Sequence, residues 1–252
     1  PLRGRRVHRP ALRAHARSLG ATLNDLLITE LFLALDQWNR EFGKGTRRIR
    51  VSMPVNLREG SQRLPATNMV SMCFLNRSPK VLKDPRRLLD SVRKETAYIR
   101  KHRMGLTLVR SINLISKLRL GYPYNTGGKN TCHATGVLTN LGVVFGETSI
   151  PKNSDNQLQV ADDLTLTNVA TFPPLRPNTH ITLGVITYGG CLQLCLSYNR
   201  DMISRAHATL FLKRITTRLS AGMYNDGELA KPTSDGRNST QPLHCSDSPA
   251  ES

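Results

Sequence analysis

The segment "HITLGVITYGGCLQLCLSYN", His180 to Asn199, leaves the chain few choices. Ile181, Leu183 and Val185 alternate with other residues before Gly189-Gly190, and Leu192, Leu194 and Leu196 alternate after it. Two alternating runs joined by Gly-Gly predict antiparallel strands closed by a tight turn, because glycine takes the positive φ of both turn residues without a steric penalty. A two-stranded ribbon is marginal on its own. The rest of the chain must therefore supply more sheet and a layer to cover it.

Helices are predicted to supply that layer. Pro10 opens a helical stretch that falters at Gly20, and a second helix runs from about Thr22 to Phe42, with Leu23, Leu26, Leu27, Leu31, Leu35 and Trp38 at spacings of three and four. Such spacing lines up one buried face. Thr22 is a natural N-cap, and Asn24 and Asp25 fall in the first turn, where Asp25 also meets the favourable end of the helix dipole. Asp84-Pro85 is an N-cap followed by proline at the first helical position, leading a stripe of Leu88, Leu89, Val92 and Ile99. A shorter helix is expected over about 106–118, and a last one over about 204–219 carries Leu210, Phe211, Ile215 and Leu219.

Between the helices lie further strands. In "RIRVSMPVNLRE" Ile49, Val51 and Met53 alternate with polar neighbours, and Pro54 removes a ladder donor, so the strand is expected to break there and leave Asn56 and Arg58 at its end, facing a cleft. "NMVSMCFL", Asn68 to Leu75, is apolar on both faces, which predicts a central buried strand. Gly136 to Gly146 reads as a strand with Thr139 and Asn140 in its middle, and "LQVADDLTLTNVATF" as one or two more. This order of helices and strands is an α+β pattern. From Asn225 onward periodicity disappears, and residues 225–252 are expected to be a disordered tail.

The chain carries 36 Lys and Arg against 18 Asp and Glu. Arg3, Arg5, Arg6, Arg9, Arg13 and Arg17 crowd its start, so residues 1–9 read as a basic arm with polyanions as its expected partners. No helix-turn-helix, zinc-finger or aromatic RNP pattern accompanies it. Cys73, Cys132, Cys191, Cys195 and Cys245 lack the dense spacing of a disulfide framework, which fits a reducing cytoplasmic setting. Cys191 and Cys195 on one strand would stand about 13 Å apart at about 3.3 Å per residue, too far to share a metal ion. No apolar run reaches the roughly 18 residues of a transmembrane span. Pro1 in place of methionine, with no signal-peptide core behind it, is compatible with a chain that begins part-way through a longer protein.

Two apparent motifs fail on chemistry. Gly127-Gly128-Lys129 lacks the spacing and the preceding strand of a phosphate-binding loop. Cys132 and His133 are sequence neighbours, which seldom face each other as nucleophile and base, and no G-x-S-x-G elbow accompanies them.

"GATLNDLLITELFLALDQWN", "RIRVSMPVNLRE", "NMVSMCFLNR", "LTNLG" and "YGGCLQLCLSYNRDMIS" followed by a helix, in that order, resemble the C-terminal half of the condensation-domain-like acyltransferases. That group takes in wax ester synthases, alcohol acyltransferases and peptide-synthetase condensation domains. The resemblance covers about 10–222, so residues 10–224 are expected to form one lobe. It implies one half of a chloramphenicol-acetyltransferase-like two-lobe fold, a mixed β-sheet packed with helices, with a missing N-terminal lobe as partner and a tunnel between the two. The implied activity is transfer of an acyl group from acyl-CoA or an acyl carrier protein to an alcohol or amine, with the thioester as co-substrate and no bound cofactor or metal. Asn24, Asp25, Asn56, Arg58 and Asn140 would line or brace the tunnel, Arg58 as a support. The family's general base lies in His-His-x-x-x-Asp-Gly, which none of the seven histidines begins, so no catalytic residue is assigned to this chain. A non-catalytic binding or remnant domain with a polyanion-binding surface is the alternative.

Overall fold

A computed structural model of the chain describes residues 1–43, 48–57, 70–117, 134–175 and 179–225. Arg58, Cys132, His133, Gly127 to Lys129 and residues 226–252 lie outside the described residues.

Twelve elements follow one another among those residues. They are β1 (Leu2–His8), α1 (Arg9–Ser18), α2 (Leu23–Phe42), β2 (Ile49–Asn56), β3 (Val70–Arg77), α3 (Pro79–Leu82), α4 (Pro85–Lys101), α5 (Met104–Lys117), β4 (Gly136–Val143), β5 (Ile181–Tyr188), β6 (Cys191–Tyr198) and α6 (Arg205–Asn225). The strands form one mixed sheet in the order β1-β6-β5-β4-β2-β3. β4 runs parallel to both of its neighbours, and the other pairs are antiparallel. This is the α+β, mixed-sheet class that the sequence predicts.

The Gly-Gly hairpin closes as expected: Tyr188 pairs with Cys191, with Gly189 at φ 54° and Gly190 at φ 71° between them. Ile181, Leu183 and Val185 of β5 and Leu192, Leu194 and Leu196 of β6 face the helices and join Leu12, Leu27, Leu31, Val92, Phe211 and Ile215 in one core. α2 begins at Leu23 behind a Thr22 cap, and the Asp84 carboxylate accepts the N–H groups of Arg86 and Arg87 at 3.0 and 3.1 Å.

Four expectations are corrected. The basic segment read as a free arm is β1, an edge strand paired with β6 from Leu2 to His8. The strand expected to stop at Pro54 runs through it to Asn56. Arg50 directs both its N–H and its C=O toward Thr135 on the β4 side. Main-chain polar groups alternate sides along a strand, so the nitrogen of Pro54 also points that way, past the last residues that β2 and β4 pair, and no ladder bond is lost. β3 is an edge strand rather than a central one, with Val70 and Phe74 exposed. The segment read as one or two strands after Gln157 makes only the isolated bridges Lys152–Leu158 and Gln159–Thr165.

Residues 144–175 instead lie over the sheet face opposite the helices. The Tyr188 hydroxyl donates to the Leu166 carbonyl at 2.5 Å and accepts the Leu158 N–H at 2.7 Å. A Cβ on Gly184 would meet Pro173 Cδ at 2.7 Å and the Thr171 carbonyl oxygen at 2.9 Å, so the absence of a side chain there lets this segment sit against β5. Cys73 and Cys195 are buried free thiols, whereas Cys191 is disulfide-bonded, a departure from the all-thiol expectation. No single helix among the described residues is long and apolar enough to cross a membrane.

Candidate functional site

β2 and β4 pair at only two positions, Val51 with Gly136 and Ser52 with Val137. Beyond them the strands separate and leave a rim at their C-terminal ends. On β4 the separation coincides with a register shift against β5 between Asn140 and Val143, where Gly142 adopts φ 71°. The Asn140 side-chain oxygen accepts the Gly142 N–H at 2.9 Å and fixes this bulge.

Asn56 and Asn140 sit on opposite faces of this rim. Val51 and Gly136 are paired, Val51 belongs to the helix-side core, and a Cβ on Gly136 would touch Leu35 of α2. Side chains alternate faces along a strand. Asn140, four residues past Gly136, is therefore on the helix side, whereas Asn56, five past Val51, is on the open side. Val70 is paired with Asn56, and Val70, Phe74 and Leu141 share that open face at 47%, 39% and 55% exposure. The Arg50 guanidinium lies 5.9 Å from the Phe74 ring centroid and donates to the Asn76 side chain at 2.7 Å. An exposed amide at a strand end above an apolar floor can orient a ligand but offers no proton-accepting base.

Asp25 belongs to a different structure. It is fully buried, and its Oδ2 accepts the Thr22 N–H at 2.9 Å and the Thr22 hydroxyl at 2.7 Å, while the Thr22 hydroxyl oxygen accepts the Asp25 N–H at 3.2 Å. This reciprocal capping box closes the start of α2. Oδ1 accepts the Thr96 hydroxyl at 2.6 Å and so ties α2 to α4. Asn24 is half-buried on the preceding residue. Asp25 is thus held as a brace between helices.

Sequence reasoning missed three supports. Arg77, 6% exposed, donates through Nη1 to Glu95 at 2.6 Å and the Asn76 carbonyl at 2.8 Å, and through Nε to the Ser91 hydroxyl at 2.9 Å, with its guanidinium 5.5 Å from the centre of the Phe32 ring. It anchors the edge strand β3 to α4 and α2. Thr96 and Tyr188 are the other two, and their partners lie 71 and 22 or 30 residues away in sequence. A lone arginine at the end of an apolar run was the only signal available.

No group of three or more His, Cys, Asp and Glu among the described residues could hold a metal ion. Burial pushes the Cys73 thiol up, with the Glu95 charge adding to it. Burial also raises Cys195, against a smaller opposing effect of the Thr171 backbone hydrogen bond and of Arg3. Both stay protonated at neutral pH and are poor nucleophiles.

No protein-family model matches the sequence, and no curated protein matches it. Solved structures do. The condensation domain that releases chains from the enacyloxin polyketide synthase superposes with TM-score 0.53 at 17% identity, over 94% of this chain and 42% of that one. The epimerization domain from the third module of tyrocidine synthetase B gives 0.54 at 14% identity, over 87% and 47%. Wax ester synthase/diacylglycerol acyltransferase from Marinobacter aquaeolei VT8 gives 0.54 at 13% identity, over 89% and 48%. The architecture is therefore that of a single lobe of a two-lobe, chloramphenicol-acetyltransferase-like fold. More narrowly, it is a lobe shared by condensation domains and a wax ester synthase, and the chain spans about half the length of these structures.

Proposed function

We propose that this chain is the second lobe of an acyltransferase that moves an acyl group from a thioester, acyl-CoA or acyl carrier protein, to an alcohol or amine. The reading rests on one observation above all: the rim where β2 and β4 part carries an exposed amide, Asn56, over the open apolar face of Val70, Phe74 and Leu141. A surface of that kind suits the wall of an acyl tunnel completed by a first lobe. The general base would come from that other lobe. It would take the nucleophile's proton from hydrogen-bond distance, about 2.6–3.2 Å, as the oxygen or nitrogen attacks the thioester carbonyl. The thiolate leaves, and the new ester or amide is released.

The test measures thioester consumption with acyl-CoA donors and a panel of alcohols and amines, for this chain alone and for the chain joined to a lobe bearing His-His-x-x-x-Asp-Gly. Background rates alone and turnover in the joined protein are expected. In the joined protein Asn56→Ala should lower kcat/KM about 10-fold through lost positioning while leaving the melting temperature unchanged. Turnover by this chain alone that disappears in His133→Ala would overturn the reading and move the chemistry to Cys132 and His133.

A further inference from the structure

Five arginines on α2, α4, α6 and β3 sit in ion pairs: Arg77 with Glu95 at 2.6 Å, Arg93 with Asp90 at 3.1 Å, Arg214 with Glu41 at 2.7 Å, Arg218 with Glu30 at 2.5 Å, and Arg40 with Asp36. Even the open groove between α2 and α6, lined by Lys213, Arg214 and Arg218 among others, has two of its cations neutralised in this way. On α1 the pattern stops. No acidic residue occurs before Asp25, and among the described residues Arg9, Arg13 and Arg17 make no ion pair.

These three recur every four residues, which sets them along one side of the helix, about 6 Å apart and about 12 Å from first to last. Arg13 and Arg17 are exposed, whereas Arg9 is half-buried beside the adjoining face on which Leu12 and Ala16 are fully buried in the core. Like charges at this spacing repel one another, so the stripe weakens its own helix unless anions sit on it. Beyond the end of α1 stands Arg93, already paired with Asp90, whose Nη1 donates to the Gly20 carbonyl at 3.1 Å.

We propose that the stripe Arg9–Arg13–Arg17 is a docking surface for the phosphate backbone of double-stranded nucleic acid, engaged without regard to base sequence. Guanidinium forks match phosphate oxygens in bidentate geometry. A linear row of cations suits a regularly charged backbone. A bilayer is a poorer fit, because an interfacial helix inserts an apolar side, and that side of α1 is already buried in the core. Single strands are also a poorer fit, since their binding relies on aromatic stacking, and the first 24 residues contain no Phe, Tyr or Trp. This inference is independent of the acyl-transfer reading.

The experiment measures fluorescence anisotropy of the full chain against two labelled DNA duplexes of unrelated sequence, between about 50 and 200 mM salt. Three phosphate contacts predict a log–log salt slope near −2.7, so affinity should fall roughly 40-fold across that range and equally for both duplexes. The triple variant Arg9→Gln, Arg13→Gln, Arg17→Gln should abolish the slope. Arg9→Lys, Arg13→Lys, Arg17→Lys should keep it, which guards against a folding defect in the glutamine variant. A control on exposed α4 cations, Arg86→Gln with Arg87→Gln and Lys94→Gln, should leave the slope unchanged. An unchanged slope in the glutamine triple, a preference between the duplexes, or tighter binding to phosphatidylserine vesicles than to duplex would each overturn the proposal.

Discussion

The two halves of the sheet live in different surroundings. Every residue of β5 and β6 is buried, since helices cover one face and residues 144–175 cover the other. In β3 burial alternates residue by residue, and β2 turns from buried to exposed as it approaches Asn56. One sheet therefore contains a closed half, in which nearly every side chain contributes to stability, and an open half, in which one face is available for contact. Function in a single lobe is to be sought where the fold leaves apolar surface uncovered.

The sharpest way to break this contrast is to remove side chains from each half. Leu194→Ala, in the closed half, should lose about 2–5 kcal/mol through transfer and cavity costs, whereas Phe74→Ala, in the open half, should lose less than about 1 kcal/mol. Urea unfolding of the two variants measures this, and equal losses would erase the distinction. A finer probe is Tyr188→Phe, which leaves the Leu158 N–H and Leu166 carbonyl without their partner. A cost of about 1–3 kcal/mol is expected, together with faster amide exchange at Leu158 and no change at Val70. Exchange that stays slow at Leu158 would mean that the cover is held by other contacts.

The smallest effect concerns one thiol from each half. Burial raises both Cys73 and Cys195, so each folded thiol keeps its proton at a pH where the unfolded chain has lost it. Their contribution is therefore fully present below the ordinary thiol pKa, about 8.5, and is lost as pH rises above it. Melting temperatures between about pH 8 and 10 should fall less steeply in Cys195→Ala than in the native chain. A steeper fall in the variant would contradict the sign.

What the sequence disclosed and what it hid follow from the range of the forces involved. The hairpin turn, the Thr22 and Asp84 caps and the stripes of α2 and α4 are local devices, and each stands where its residues predict. Sheet order is not local. "NMVSMCFL" is apolar on both faces whether it lies at the centre or at an edge, and Pro54 interrupts a strand only if a neighbour needs its N–H. β1 reads as a basic arm in the sequence because Val7, which is deeply buried, sits among arginines. At the rim, sequence placed Asn56 at a strand end and Asn140 in the middle of a strand but could not tell that they occupy opposite faces, because that depends on the pairing of Val51 with Gly136.

That pairing has a mechanical consequence. Two residue pairs are a short weld between the β2–β3 hairpin and the four strands beyond it, and α2, packed on both β2 and β4, is the splint across the joint. Strain applied at the rim is therefore carried by helix packing more than by the backbone ladder. The width of the rim is therefore set by how α2 packs on β2 and β4 rather than by a continuous ladder between them.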